Sequence, residues 1–128
     1  VSLLLDTHTL LWYVAGDNQL SVTARDAIES EPESVFASIA SLWELAIKIG
    51  KGNYKIDEPF TPYFRRVLKE ADVALLAIDI SHVAQVSALP RAHGDPFDRL
   101  IIAQAMVERL PIVSRDQLFD QYPIFRIW

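Results

Sequence analysis

The sequence predicts an α/β domain built on a mostly parallel sheet of four to five strands, with helices on both faces. Three observations predict it. Short apolar runs rich in Leu, Val and Ile alternate from end to end with longer segments of helical periodicity. Asp6, Glu44, Asp98 and Asp116 each stand where such a run finishes or a helix begins. At 128 residues and 51% apolar content the chain can bury one substantial core, so residues 1–128 are expected to form a single domain.

The elements follow in order. Ser2-Leu3-Leu4-Leu5 reads as a buried strand leading into a helix that Gly16 stops, which puts Asp6 at the strand's carboxyl end. Ser21 or Thr23 can cap a second helix through Ile28, and Glu31-Pro32-Glu33 makes a turn before a strand at Ser34–Ala37. Ser38–Gly50 is helical in pattern, with Leu42, Leu45, Ala46 and Ile49 at helical spacing. Within it Ser41 and Glu44 match a capping box, and Glu44 with Lys48 forms an i, i+4 pair worth about 0.2–0.5 kcal/mol if exposed. After a polar loop, Thr61-Pro62 is a cap-and-proline helix start with Phe64, Val67 and Leu68 facing inward. Val73–Ile78 is the third strand, and Ser81 is expected to cap a short helix ending before Pro90. Leu110–Ser114 is the fourth strand, and Phe125–Trp128 alternates as a short edge strand.

Composition restricts the chemistry. Twelve basic and seventeen acidic residues leave a net charge of −5, which opposes binding of nucleic acid through a broadly basic surface. A polyanionic substrate would need local positive charge, which divalent ions held by acids can supply. The chain has no cysteine, so disulfides, thiolate metal sites and cysteine nucleophiles are excluded. A cytoplasmic setting fits that absence. No apolar run approaches the roughly 20 residues that span a bilayer, and no signal peptide is expected. The mean hydropathy of +0.16 is high for so small a chain, so part of its apolar surface is expected to be covered by another subunit or partner.

The densest polar stretch is His93-Gly94-Asp95-Pro96-Phe97-Asp98-Arg99, which runs straight into the apolar helix Leu100–Met106. Asp95-Pro96 reads as an N-cap followed by proline at the first helical position, placing Asp98 in the first turn. Parallel topology with right-handed crossovers can then gather Asp6, Glu44, Asp98 and Asp116 at one rim of the sheet. Four ionised carboxylates held close together repel one another unless a cation joins them. An all-oxygen set without a His-x-x-x-His pair favours Mg²⁺ or Mn²⁺ over zinc. Such a centre suits attack of water on a phosphodiester. Lys48 and Arg99 could hold a phosphate or simply form surface ion pairs, and His8 and His93 could contact substrate or only shape their loops. His82 is expected at the surface, and Trp12, Trp43 and Trp128 in the core or an interface. No Ser-His-Asp elbow, Walker-type glycine loop or Rossmann fingerprint is present.

Four motifs, taken together, carry a resemblance: Leu5-Asp6-Thr7-His8-Thr9-Leu10-Leu11-Trp12, Ser41-Leu42-Trp43-Glu44-Leu45-Ala46-Ile47-Lys48, Asp95-Pro96-Phe97-Asp98-Arg99-Leu100-Ile101-Ile102-Ala103-Gln104-Ala105, and Val113-Ser114-Arg115-Asp116. In this order, and over nearly the whole chain, they resemble the PIN-domain family, in particular the VapC-type toxins of toxin–antitoxin pairs. The resemblance implies a PIN-like three-layer α/β/α fold and a Mg²⁺- or Mn²⁺-dependent endoribonuclease. It also implies Asp6, Glu44 and Asp98 as metal ligands and catalytic acids, with Asp116 as the fourth. Thr7, His8, Lys48, His93, Asp95, Arg99 and Ser114 would then touch substrate or support the acids. Asp98, directly before the Arg-Leu-Ile-Ile-Ala run, matches the ligand position, and Asp95 is left as the cap. Ser114 replaces the threonine of many relatives and keeps the hydroxyl. An RNA substrate, a cognate antitoxin and a homodimer are implied as partners. Two other readings remain: a non-catalytic domain of the same fold, and an aspartyl-phosphate receiver, for which Ser114-Arg115-Asp116 lacks the required lysine.

Overall fold

The computed structural model describes residues 1–90 and 94–128. Among these residues five strands, all parallel, lie in the order β3-β2-β1-β4-β5: β1 Leu3–Leu5, β2 Val35–Ser38, β3 Ala74–Leu76, β4 Ile112–Val113 and β5 Arg126–Ile127. The helices are α1 Thr7–Ala15, α2 Val22–Glu29, α3 Ile39–Gly50, α4 Phe60–Glu70, α5 Ile80–Ser87 and α6 Pro96–Glu108, with a 3-10 helix at Gln117–Gln121. This is the three-layer arrangement expected.

Alternation along the strands sorts the core into two layers. Leu3, Leu5, Val35, Ala37 and Val113 face Leu10 of α1, Ala24 and Ile28 of α2 and Leu68 of α4. Leu4 and Ile112 face the opposite way, against Ile101, Ile102, Ala103 and Ala105 of α6, with Phe119 and Tyr122 closing that layer. Helix α3 gives Leu42 to the first layer and Ala40 to the second, so it crosses the rim between them.

Chain order fixes where a crevice can open. The chain builds β1, β2 and β3 outward on one side, then returns over the sheet through α5 and α6 to place β4 on the other side of β1. The reversal falls between β1 and β4, and in open parallel sheets a crevice forms beyond the strand ends at that point. Register puts Leu5 opposite both Ala37 and Val113, so Asp6, Ser38 and Ser114 emerge side by side at the carboxyl rim.

Several helix starts differ from the sequence-based expectation. Ser38, not Ser41, caps α3, because β2 ends at Ser38 and its hydroxyl already accepts from the Ala40 N–H at 2.9 Å. The capping-box account of Glu44 therefore fails, and Glu44 sits in mid-helix. Helix α4 begins at Phe60 after Pro59, without a side-chain cap, so Pro62 falls in the first turn, where a missing N–H costs nothing. Asp79 rather than Ser81 caps α5, and His82 reciprocates by accepting from the Asp79 N–H at 2.9 Å. His82 is accordingly 1% exposed instead of lying at the surface, with Nε2 3.5 Å from Glu108 on α6. The third strand stops at Leu76 and the fourth covers only Ile112–Val113.

Candidate active site at the carboxyl rim

Asp6 leaves β1 and caps α1, its Oδ1 accepting from the Thr9 N–H at 2.9 Å. Its Oδ2 accepts from the Ser114 hydroxyl at 2.6 Å, and that hydroxyl in turn accepts from the Asp116 N–H at 3.1 Å. The ends of β1 and β4 are thus joined through a single serine oxygen. Thr9 adds a second tie, donating from Oγ1 to the Val113 carbonyl at 2.9 Å. Burial pushes the Asp6 carboxyl above the ordinary range, opposed by the Ser114 and Thr9 hydrogen bonds. A carboxylate offers about four lone-pair positions, so Asp6 retains capacity for a further ligand.

Glu44 is placed from α3. The Thr7 hydroxyl lies 2.8 Å from Glu44 Oε1 and 2.9 Å from Ser41 Oγ. One hydroxyl has one proton, so Thr7 donates to the carboxylate and accepts from Ser41. Lys48, one turn on, pairs with Glu44 at 3.2 Å, the ion pair anticipated from their spacing. Asp116 follows β4 and caps the 3-10 helix, accepting from the Leu118 N–H at 3.0 Å.

The Asp95–Arg99 turn forms as the sequence predicts. Asp95 Oδ1 accepts from the N–H groups of Phe97 and Asp98 at 2.8 and 3.2 Å, with Pro96 at the first helical position. The Asp98 side chain makes no hydrogen bond or ion pair among the described residues. Its carboxyl is pushed up to about 7, first by burial and then by the charges of Asp95, Asp6, Glu44 and Asp116. The rim therefore brings the four acids within electrostatic reach of one another. Among the described residues, however, no three acidic or histidine side chains already converge closely enough to hold one ion together.

Of the other residues singled out by sequence, His8 is exposed and its ring stands 5.6 Å from Trp12. Arg99 is engaged with backbone carbonyls. Its guanidinium donates to the carbonyls of Pro90, Val86 and Leu89 at 2.7, 3.3 and 3.4 Å, tying the start of α6 to the end of α5. His93 lies outside the described residues. Trp12 packs on Trp128 with ring centroids 5.9 Å apart, whereas Trp43 is 56% exposed and meets Phe97 edge-on at 4.9 Å. Sequence reasoning missed Ser41 and Thr9 as supports of the acids. It also missed Arg126, which grips Asp120 at 2.8 and 3.0 Å and donates to the Ser114 carbonyl at 3.0 Å. The signal for Thr9 is its place three residues after a capping aspartate; Ser41 carries a signal in its spacing to Glu44, read there as a capping box, and Arg126 carries none in the sequence.

A model of the PIN domain matches residues 3–124. The chain belongs to the PIN domain family. A relative 32% identical over 117 residues is the ribonuclease VapC22 of Mycobacterium tuberculosis, the match covering 91% of this chain and 88% of that protein. Among solved structures, VapBC2 of Rickettsia felis bound to a DNA fragment from its promoter superposes with a TM-score of 0.73 at 16% identity, covering 98% of this chain and 97% of that one. A toxin–antitoxin complex from Klebsiella pneumoniae gives 0.66 at 21% identity, covering 94% and 92%. Both share the fold of this PIN domain.

At this rim of the PIN domain, Ser114→Ala removes the hydrogen bond to buried Asp6 and the acceptor for the Asp116 N–H. It should destabilise the protein by about 1–3 kcal/mol in thermal or urea unfolding, because buried polar atoms lose their partners. Ser114→Thr should retain the stability.

Proposed function

We propose that this chain is a divalent-metal-dependent endoribonuclease acting as the toxin of a toxin–antitoxin pair in the cytoplasm. The observation that carries the reading is Asp98, a carboxylate unpartnered among the described residues and held among like charges at the rim where β1 and β4 end. An oxygen cluster with that excess of negative charge fits Mg²⁺ or Mn²⁺. Asp6, Glu44, Asp98 and Asp116 would hold the ion or ions. A divalent ion there supplies the Lewis acidity that makes water a nucleophile at neutral pH and offsets charge on the phosphodiester. Thr7 and Ser114 keep Glu44 and Asp6 aimed at the rim, and Lys48 balances Glu44. The relative named as a ribonuclease supports RNA as the substrate, and the toxin–antitoxin complex of the same fold supports an antitoxin as partner.

The test is cleavage of total RNA and transfer RNA by purified chain freed of any partner. Cleavage with Mg²⁺ or Mn²⁺ that stops with EDTA is the expected result. Equal behaviour of wild type and Asp6→Asn would defeat the enzyme reading and leave a non-catalytic PIN domain. Co-expression with the product of an adjacent small reading frame should abolish toxicity if the antitoxin assignment holds.

A homodimer belongs to the same proposal. Ile39, Trp43 and Ile47 recur at i, i+4 and i+8 along α3 and are all exposed, a stripe suited to a second copy. Trp43→Glu should shift the mass measured by light scattering from dimer to monomer.

A further inference from the structure

We infer that the cleft lined by His8, Trp12, Arg115 and Gln117, opening onto Asp6 and Asp116, receives one unstacked nucleotide of the RNA next to the bond to be cut. This role rests on the ribonuclease activity proposed above and assigns part of its substrate recognition.

The cleft is in the right place. It lies beyond the ends of β1 and β4, at the point where strand order reverses, and Asp6 and Asp116 are part of its lining. Its volume of about 400 Å³ falls in the range of small-molecule sites and admits a single nucleotide rather than a duplex.

Its lining also has the right chemistry. The two cations that the sequence offered for phosphate are already committed: Lys48 to Glu44, and Arg99 to the carbonyls that end α5. Arg115 is exposed and makes no hydrogen bond or ion pair among the described residues. Its planar guanidinium matches two phosphate oxygens at once. In the same lining, the exposed His8 ring lies against Trp12, which is braced in turn by Trp128. Unpaired bases stack on such rings in single-stranded RNA recognition. Gln117 opens the 3-10 helix capped by Asp116, and its exposed amide offers both a donor and an acceptor to a base edge. A cation, stacking rings and an amide gathered beside the acids favour RNA over a protein segment as the occupant.

The test uses the full chain carrying Asp98→Asn to prevent turnover, titrated with short single-stranded RNAs of uniform base at several salt concentrations. Arg115→Ala should weaken binding about tenfold and lower the salt slope by about 0.7, the value for one phosphate contact on a single strand. His8→Ala should weaken binding roughly 5- to 100-fold, with His8→Tyr restoring it because the stacking ring returns. In the background with Asp98 intact, the same changes should raise KM more than they lower kcat, and Gln117→Ala should alter which bases flank the cut. If wild type cleaves RNA while Arg115→Ala and His8→Ala leave affinity, salt slope and cut sites unchanged, the cleft is not a nucleotide site. If those variants keep RNA binding but lose a protein partner, the cleft belongs to that partner and the inference fails. If wild type cleaves no RNA, the ribonuclease reading falls first and this inference with it.

Discussion

Replacing Asp98 with asparagine is expected to cut metal-dependent RNA cleavage by about 10³-fold or more, since a lost ligand removes several kcal/mol of charge stabilisation at the reacting phosphate. The substitution keeps the shape of the side chain and leaves the Asp95 cap, Pro96 and the Arg99 hydrogen bonds in place. Folding should therefore survive, and circular dichroism checks that it does. Asp95→Asn is the contrasting variant: its side-chain oxygen can still accept from the Phe97 and Asp98 N–H groups, so it should slow cleavage far less. A larger loss of metal affinity in Asp95→Asn than in Asp98→Asn would reverse the assignment of ligand and cap.

The second large effect is on stability without metal, and its sign follows from linkage. The Asp98 carboxyl titrates at about 7 in the folded chain against an ordinary 3.8. Between those values the folded state binds more protons than the unfolded state, so this group's contribution to stability falls as pH rises through that window. Below the window both states are protonated and the penalty vanishes; above about 7 it is complete. In EDTA, Asp98→Asn should thus melt higher than wild type near neutral pH, and the gap should close as pH is lowered towards the ordinary 3.8. Solvent still reaches this carboxyl, which limits the effect to about 1–2 kcal/mol. For a domain of this size each kcal/mol moves Tm by roughly 3–6 °C. Mg²⁺ should raise the Tm of wild type and leave Asp98→Asn nearly unmoved. A Tm gap independent of both pH and Mg²⁺, measured by scanning calorimetry, would show that Asp98 does not carry the excess charge.

Both effects depend on Asp95 and Asp98 playing different parts, a division legible in the sequence itself. Capping chemistry is local: aspartate followed by proline, with a second acid three residues on, specifies which carboxylate turns back to the backbone and which projects from the first turn. The other caps were less legible. Ser38 and Ser41 are equally good N-caps by composition, and what decides between them is where β2 stops pairing with β1 and β3, a tertiary contact absent from local sequence. The same holds at α5, where His82 reads as a surface residue until α6 packs over it and Glu108 is brought to 3.5 Å.

Arg99 marks the limit most clearly. Beside Asp98 in the sequence, it reads as a cation for phosphate or a surface ion pair; in the fold it serves the carbonyls at the end of α5, which only the packing of α5 on α6 brings near. Arg115, which no local pattern distinguished, is a cation left uncommitted beside the acids among the described residues.

By itself the sequence determined the α/β class, the parallel order of strand and helix, and the family, and it singled out four acids as candidates, because hydrophobic period, caps and motif spacing are properties of neighbouring residues. Only the tertiary structure decided which hydroxyls hold those acids, which cations are spent on backbone carbonyls, and that the crevice opens between β1 and β4. Those depend on residues far apart in the chain, as with Ser114 and Asp6 or Thr7 and Glu44, whose meeting is set by strand register and crossover rather than by any local preference.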